Sequence, residues 1–172
     1  MSPPPDETLD ALNVTAAPGD GGFRLAPSTW SLVPGEVHGW VGESGAGKTT
    51  FARVLAGLER PRQGMLRWRG RSVWSPRPSR EFRRAVQYLP QDPAATLDPR
   101  YSVRASVREA AVPGTSEAAV TAALERVGFD LDLAGRRPPE LSGGQRQRAG
   151  WARLLAVGAR FAVLDEPLTA LD

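Results

Sequence analysis

Nine residues constrain this chain more than any others: Gly42, Glu43, Ser44, Gly45, Ala46, Gly47, Lys48, Thr49 and Thr50. They fit G-x-x-x-x-G-K-[ST] with an extra central glycine, and they lie between an apolar run and a segment of helical periodicity. Residues 36–41, with Val37, Trp40 and Val41, read as a buried strand ending at Gly42. Phe51, Val54 and Leu55 then recur at helical spacing, so a helix is expected over 47–56 with Gly57 as its stop. Glycines let a backbone wrap closely around phosphate oxygens and present successive N–H groups to them. A helix start adds the positive end of its dipole. Lys48 can reach the β- and γ-phosphates of a nucleotide, and the Thr49 hydroxyl can hold Mg²⁺. A flexible Gly/Ser turn before a helix is the plainer alternative. It does not account for the lysine: of 22 basic residues, Lys48 is the single lysine and the rest are arginine. The segment reads as a nucleotide site.

Composition removes several other chemistries. A chain of 172 residues, 41% hydrophobic and 24% charged, can bury a core. With no cysteine it has no disulfide framework, thiolate zinc site or cysteine nucleophile. His38 is the only histidine, so no mechanism using two imidazoles is open. No apolar run approaches the roughly 18 residues of a membrane span. The first residues lack the basic and apolar regions of a secretory signal, and a soluble intracellular chain is expected. Residues 60–84 hold nine arginines against one acid, Glu81. Interleaved with Trp68, Trp74 and Phe82, that stretch reads as a solvated arginine-rich face or as a nucleic-acid surface. No nucleic-acid fold signature accompanies it, and no direct nucleic-acid partner is expected.

Residues 1–10 read as a disordered lead-in. Up to Gly35, apolar pieces (Leu12 and Val14, Phe23 and Leu25, Trp30 to Val33) suit two or three strands. Further strands are expected within 61–90, with a short helix near 79–85 and a strand at 86–89. Helices are expected over 103–111, 117–128 and 142–157, and a fully apolar, buried strand at 161–164. Strands alternating with helices argue for an α/β fold with a parallel sheet. The helix-rich piece 92–157 then forms an insertion between core segments 11–91 and 158–172 of a single domain over 11–172.

Asp165, Glu166 and Pro167 follow the last strand. Ligands gather at the carboxyl ends of parallel strands, so these acids are expected to face the phosphate loop. One carboxylate can hold the Mg²⁺ shell, and the next can polarise an attacking water as general base. An acidic turn after a strand is the structural alternative. Farther upstream, Leu141, Ser142, Gly143, Gly144, Gln145, Arg146, Gln147 and Arg148 join a good N-cap to two glycines that leave the first helical N–H groups open to an anion.

Those eight residues resemble the signature motif of the ATP-binding subunits of ABC transporters. The order also matches that family: Lys48, Gln91 in the run from Tyr88 to Pro93, Ser142, Asp165 with Glu166, and Thr169 to Asp172. The resemblance covers residues 12–172. It implies a P-loop NTPase core of RecA-like type with an N-terminal antiparallel β portion and an inserted helical subdomain. It implies ATP and Mg²⁺, with Thr49, Gln91 and Asp165 at the metal, Glu166 as base and Gln91 beside it. Gly42 to Thr50 would cradle one nucleotide. Ser142, Gly143, Gly144, Gln145 and Asp172 would meet the nucleotide held by a second ATP-binding subunit. Transmembrane permease subunits would hold the protein on the inner face of the plasma membrane, with a solute-binding protein outside. The run from Gln91 to Arg100, with Glu43 and Ser44, is similar to the oligopeptide, dipeptide and nickel importer branch.

Three departures accompany the resemblance. The chain stops at Asp172, ahead of the strand that carries the family's switch histidine, and His38 precedes the loop and cannot be that residue. Such a domain would be incomplete at its C-terminus, with a sheet edge left open. Ala16 or Ala17 falls where an aromatic usually stacks on adenine, with Phe23 as an uncertain substitute. Ala159 stands where proline is frequent. Two classes follow: a transporter ATPase whose sequence continues past Asp172, or a nucleotide-binding remnant or interaction module with little turnover.

Overall fold

The computed structural model describes residues 7–15 and 27–167. The pair Phe23 and Leu25, the positions Ala16 and Ala17, and the run Thr169 to Asp172 lie outside the described residues, as do the first six residues of the expected lead-in. The chain divides into two compact units, Met1–Tyr88 and Leu89–Asp172.

In the first unit, alternation of apolar and polar residues makes an antiparallel sheet in the order β2–β1–β3–β4. Strand β1 (Leu9–Thr15) opens two residues before the expected domain start and buries Leu9, Ala11 and Val14 completely. It pairs with β2 (Ser28–Leu32) through Leu9↔Leu32 and Ala11↔Trp30, and with β3 (Gln63–Trp68) through Leu9↔Trp68 and Ala11↔Leu66. Both registers shift near Asn13, whose φ of 48° marks a bulge that asparagine tolerates. Strand β4 (Arg71–Ser72) returns after the two-residue turn Arg69 and Gly70, both at positive φ, as a tight hairpin requires.

Helix α1 (Lys48–Leu55) buries Phe51, Val54 and Leu55, the three residues whose spacing announced it. The ring of Phe51 meets Trp40 edge-on at 5.5 Å, and Trp40 meets Trp30 at the same distance. Helix α2 (Arg80–Ala85) is capped by the Ser79 hydroxyl, which accepts from Phe82 N–H at 3.0 Å. Phe82 in turn packs edge-on against Trp68 at 5.9 Å. Strand β5 (Val86–Leu89) crosses the division between the units.

One expectation fails here. Residues 36–41 are not a strand, and Val37 and Val41 are 99% and 100% exposed. An apolar, β-branched run records only a preference for a pleated, covered surface, and strand status comes from neighbours on the ladder. No described strand pairs with this segment.

The second unit is helical. Helices α3 (Val103–Ala110), α4 (Glu117–Arg126) and α5 (Gly143–Val157) begin at Ser102, Ser116 and Ser142, whose hydroxyls accept from Ala105, Ala119 and Gln145 N–H. Short 3₁₀ turns at Pro93–Thr96, Leu131–Leu133 and Pro138–Glu140 link and flank them. Val103, Val107, Val120, Leu124, Leu141 and Ala149 form one buried cluster. Each large aliphatic side chain there contributes about 1.5–3 kcal/mol. Strand β6 (Phe161–Leu164) buries Phe161 and Val163 but not Ala162 or Leu164, so it is covered on one face rather than two. Its apolar run alone does not separate these cases.

Two outcomes are expected. A Cβ at Gly57, φ +66°, would stand 2.6 Å from the buried ring of Phe82, whereas at Gly114, φ +88°, it would meet nothing within 4 Å. Gly57→Ala should cost about 2–3 kcal/mol in urea unfolding and Gly114→Ala about 1 kcal/mol, since only the first adds overpacking to backbone strain. Equal losses would show that the ring contact adds nothing. In the loop after Gln91, the Arg100 side chain and then its backbone N–H hold Asp98 down at about 2. A depressed carboxylate stabilises the fold above its ordinary value and loses that contribution as pH falls through about 2. An NMR titration of the Asp98 carboxyl should have its midpoint there, and Arg100→Gln should return it toward 3.8.

Candidate nucleotide site

In the first unit, the backbone from Gly42 to Gly47 folds back on itself, with Ala46 N–H donating to Glu43 C=O at 3.1 Å. Gly45 and Gly47 sit in the left-handed region, at φ 81° and 83°. Gly47 is the N-cap of α1 and makes no side-chain cap hydrogen bond, which leaves the helix start without the usual oxygen over its first N–H groups. A Cβ at Gly45 would meet nothing within 4 Å, so glycine there answers to the backbone angle and not to crowding. The Lys48 ammonium curls over the loop and donates to the carbonyls of Gly42 at 2.8 Å and Glu43 at 2.9 Å. Glu43, Ser44 and Thr49 are exposed, and Thr50 is half-buried. A concave, uncapped helix start beside a lysine fits a phosphate chain.

In the second unit, Leu89, the last residue of β5, lies beside the end of β6. Asp165 N–H donates to the Leu89 carbonyl at 3.0 Å. Gln91 lies two residues beyond Leu89 and Glu166 one beyond Asp165. Their side chains meet: the Gln91 amide donates to Glu166 Oε2 at 3.1 Å, across 75 residues of sequence. Asp165 is buried at 8% exposure, whereas Glu166 turns outward with φ 46°. A left-handed glutamate costs on the order of 1 kcal/mol, and such outliers cluster at functional turns. No group of three His, Cys, Asp or Glu side chains gathers among the described residues. Within the second unit the Gln91 amide and the Asp165 carboxylate offer oxygen donors close to one strand end. They suit a hard ion such as Mg²⁺ that keeps water and phosphate in its shell.

The start of α5 is a reciprocal capping box. Ser142 Oγ accepts from Gln145 N–H at 3.3 Å, and Gln145 Oε1 accepts from Ser142 N–H at 2.8 Å. A Cβ at Gly143 or Gly144 would meet nothing within 4 Å, so this helix start presents an open face. Gln145 is therefore engaged in the cap, a role that its place in the motif did not reveal. The structure joins Gln91 to Glu166 beside Asp165, and it places the residues of the phosphate loop in the first unit and Ser142 to Gln145 at the start of α5. Asp172 lies outside the described residues. Gly150 and Arg153 on α5 were missed by sequence reasoning. A mid-helix glycine facing a proline-rich turn is the faint signal that could have found them.

No helix among the described residues is long and apolar enough to cross a membrane. The family profile described as ABC transporter matches residues 25–169. YkfD of Bacillus subtilis (strain 168), named for oligopeptide transport, is 42% identical over 153 residues, which are 84% of this chain and 46% of that protein. The nickel import ATP-binding protein NikE of Shigella boydii is 39% identical over 150 residues, 83% of this chain and 56% of that protein. The chain thus spans about half the length of the curated relatives it matches. Among solved structures, cbiO1 of Clostridium perfringens, part of the ABC transporter complex cbiONQ, superposes with a TM-score of 0.76 at 26% identity. That match covers 97% of this chain and 68% of that one. With its phosphate loop, its capped glycine-rich helix start and its acid turn in the family's order, the chain belongs to the ABC transporter family and has the ABC ATPase fold.

Proposed function

We propose that this chain is the ATP-binding and ATP-hydrolysing subunit that powers an ABC transporter. The observation that carries the reading is the Gln91–Glu166 hydrogen bond, which brings an amide and a carboxylate from distant sequence to one strand edge beside Asp165. The loop residues Gly42, Glu43, Ser44, Gly45, Ala46, Gly47, Lys48, Thr49 and Thr50 hold the phosphate chain through backbone N–H groups and the Lys48 ammonium. Lys48 then exchanges its bonds to the Gly42 and Glu43 carbonyls for phosphate oxygens. Thr49, Gln91 and Asp165 would hold Mg²⁺, which supplies charge neutralisation when bound. Glu166 accepts the proton of the attacking water. Gln91 holds the Glu166 carboxylate through its amide N–H, which leaves its own oxygen for the metal shell. Ser142, Gly143, Gly144 and Gln145 would meet the nucleotide of a second ATP-binding subunit, a role that the motif also assigns to Asp172.

The names of the relatives support a cargo class. Names such as oligopeptide transport and nickel import support peptide or nickel uptake. Permease subunits would carry the protein on the cytoplasmic face of the membrane, with a solute-binding protein delivering cargo outside.

Lys48→Ala should weaken ATP binding by about 100-fold, measured by titration calorimetry, because a charge-assisted contact to phosphate is lost. Unchanged affinity would move the phosphate site elsewhere. Glu166→Gln should keep ATP affinity and lower the single-turnover rate by about 10²–10⁴-fold. Normal turnover in that variant would remove Glu166 as the base.

A further inference from the structure

Two residues on α5 tie that helix to the segment that follows Gln91. A Cβ at Gly150 would overlap the Pro93 carbonyl and stand 2.8 Å from the Pro93 Cβ. The helix backbone and the 3₁₀ turn therefore approach as closely as only glycine permits. Three residues along the helix, and so on the same face, Arg153 donates from Nη1 to the Thr96 carbonyl. From Nη2 it donates to Glu109 Oε2 on α3 at 3.1 Å. The turn is closed on itself as well: Thr96 Oγ1 donates to the Pro93 carbonyl at 2.7 Å, and Asp92 Oδ1 accepts from Ala94 N–H at 2.9 Å. Asp92 directly follows Gln91, whose amide holds Glu166. An unbroken series of contacts within the second unit thus runs from α5 to the Glu166 carboxylate.

We infer that Gly150 and Arg153 are positioning residues for Gln91. They fix the Pro93–Thr96 turn to the helix that starts at Ser142, so Gln91 and that helix start move as one piece. Arginine is needed because its planar fork presents two N–H groups at a fixed spacing to a carbonyl and a carboxylate together, which an ammonium cannot do. The role rests on the ATPase reading above.

The test compares Arg153→Met, Arg153→Lys and Glu109→Gln with the parent in the full chain, by hydrogen exchange and by ATP turnover. In Arg153→Met, amides of residues 94–97 should exchange about tenfold faster while those of residues 147–152 hold. The value of kcat should fall by about tenfold or more, with KM for ATP within about twofold, because the phosphate loop is untouched. Arg153→Lys should fold normally without recovering kcat. Glu109→Gln, which keeps the bond to Thr96, should show a smaller fall in kcat at the same KM, and it decides the matter if Arg153→Met does not fold. Unchanged kcat in the folded variants, or KM rising in step with its loss, overturns the role. A parent chain that binds ATP without hydrolysing it sinks the ATPase reading instead. Exchange at 94–97 then still judges the clamp, and unchanged exchange in Arg153→Met rejects it.

Discussion

The backbone hydrogen bond from Asp165 N–H to the Leu89 carbonyl sets the geometry on which the Gln91–Glu166 pair of the second unit depends. A ladder bond fixes register, and register on adjoining strand ends fixes which side chains can meet just beyond them. With Asp165 N–H bound to the Leu89 carbonyl, Gln91 and Glu166 emerge close together, and their side chains meet at 3.1 Å. The left-handed backbone at Glu166 belongs to the same arrangement, since the chain leaves β6 and turns outward at once. Strain of this kind persists only where the surroundings over-determine it, and here the buried Asp165 and the Gln91 amide flank the strained residue.

Much of this was legible in the sequence because the signals are local. The serine caps at 102, 116 and 142 act on N–H groups three residues away, and α1 declares itself by Phe51, Val54 and Leu55. The phosphate loop depends on glycine angles that no other residue adopts cheaply. Features that depend on distant neighbours were not legible. Residues 36–41 carry the composition of a strand, yet Val37 and Val41 face solvent, because a ladder needs a second strand and composition cannot supply one. Strand β6 looked buried on both faces and is covered on one. The need for glycine at position 150 was not legible either, since its reason is a carbonyl 57 residues earlier in the chain.

The arginine-rich stretch shows how little net charge says about role. Arg69 is bound to Glu81 at 2.5 Å and to Glu7 at 3.4 Å, and its guanidinium lies 4.5 Å over the Trp68 ring. Arg67 donates to the Met65 sulfur at 3.0 Å. The guanidinium groups here lie against a ring, a sulfur and acidic partners of the same unit. Exposed pairs of this sort add little stability individually, and the stretch reads best as a solvated face of the first unit.

The same preference for arginine makes Lys48 informative. A guanidinium is a rigid fork suited to two fixed acceptors, as at Arg153, and it would fit poorly within a loop whose carbonyls lie 2.8 and 2.9 Å from one nitrogen. An ammonium is a compact point charge on a flexible stem. It can satisfy two loop carbonyls and then exchange them for phosphate oxygens with little rearrangement of the backbone. Arg153 and Lys48 thus differ in geometry: a fork holds two partners together at Arg153, and at Lys48 a single point charge suits the exchange proposed for it.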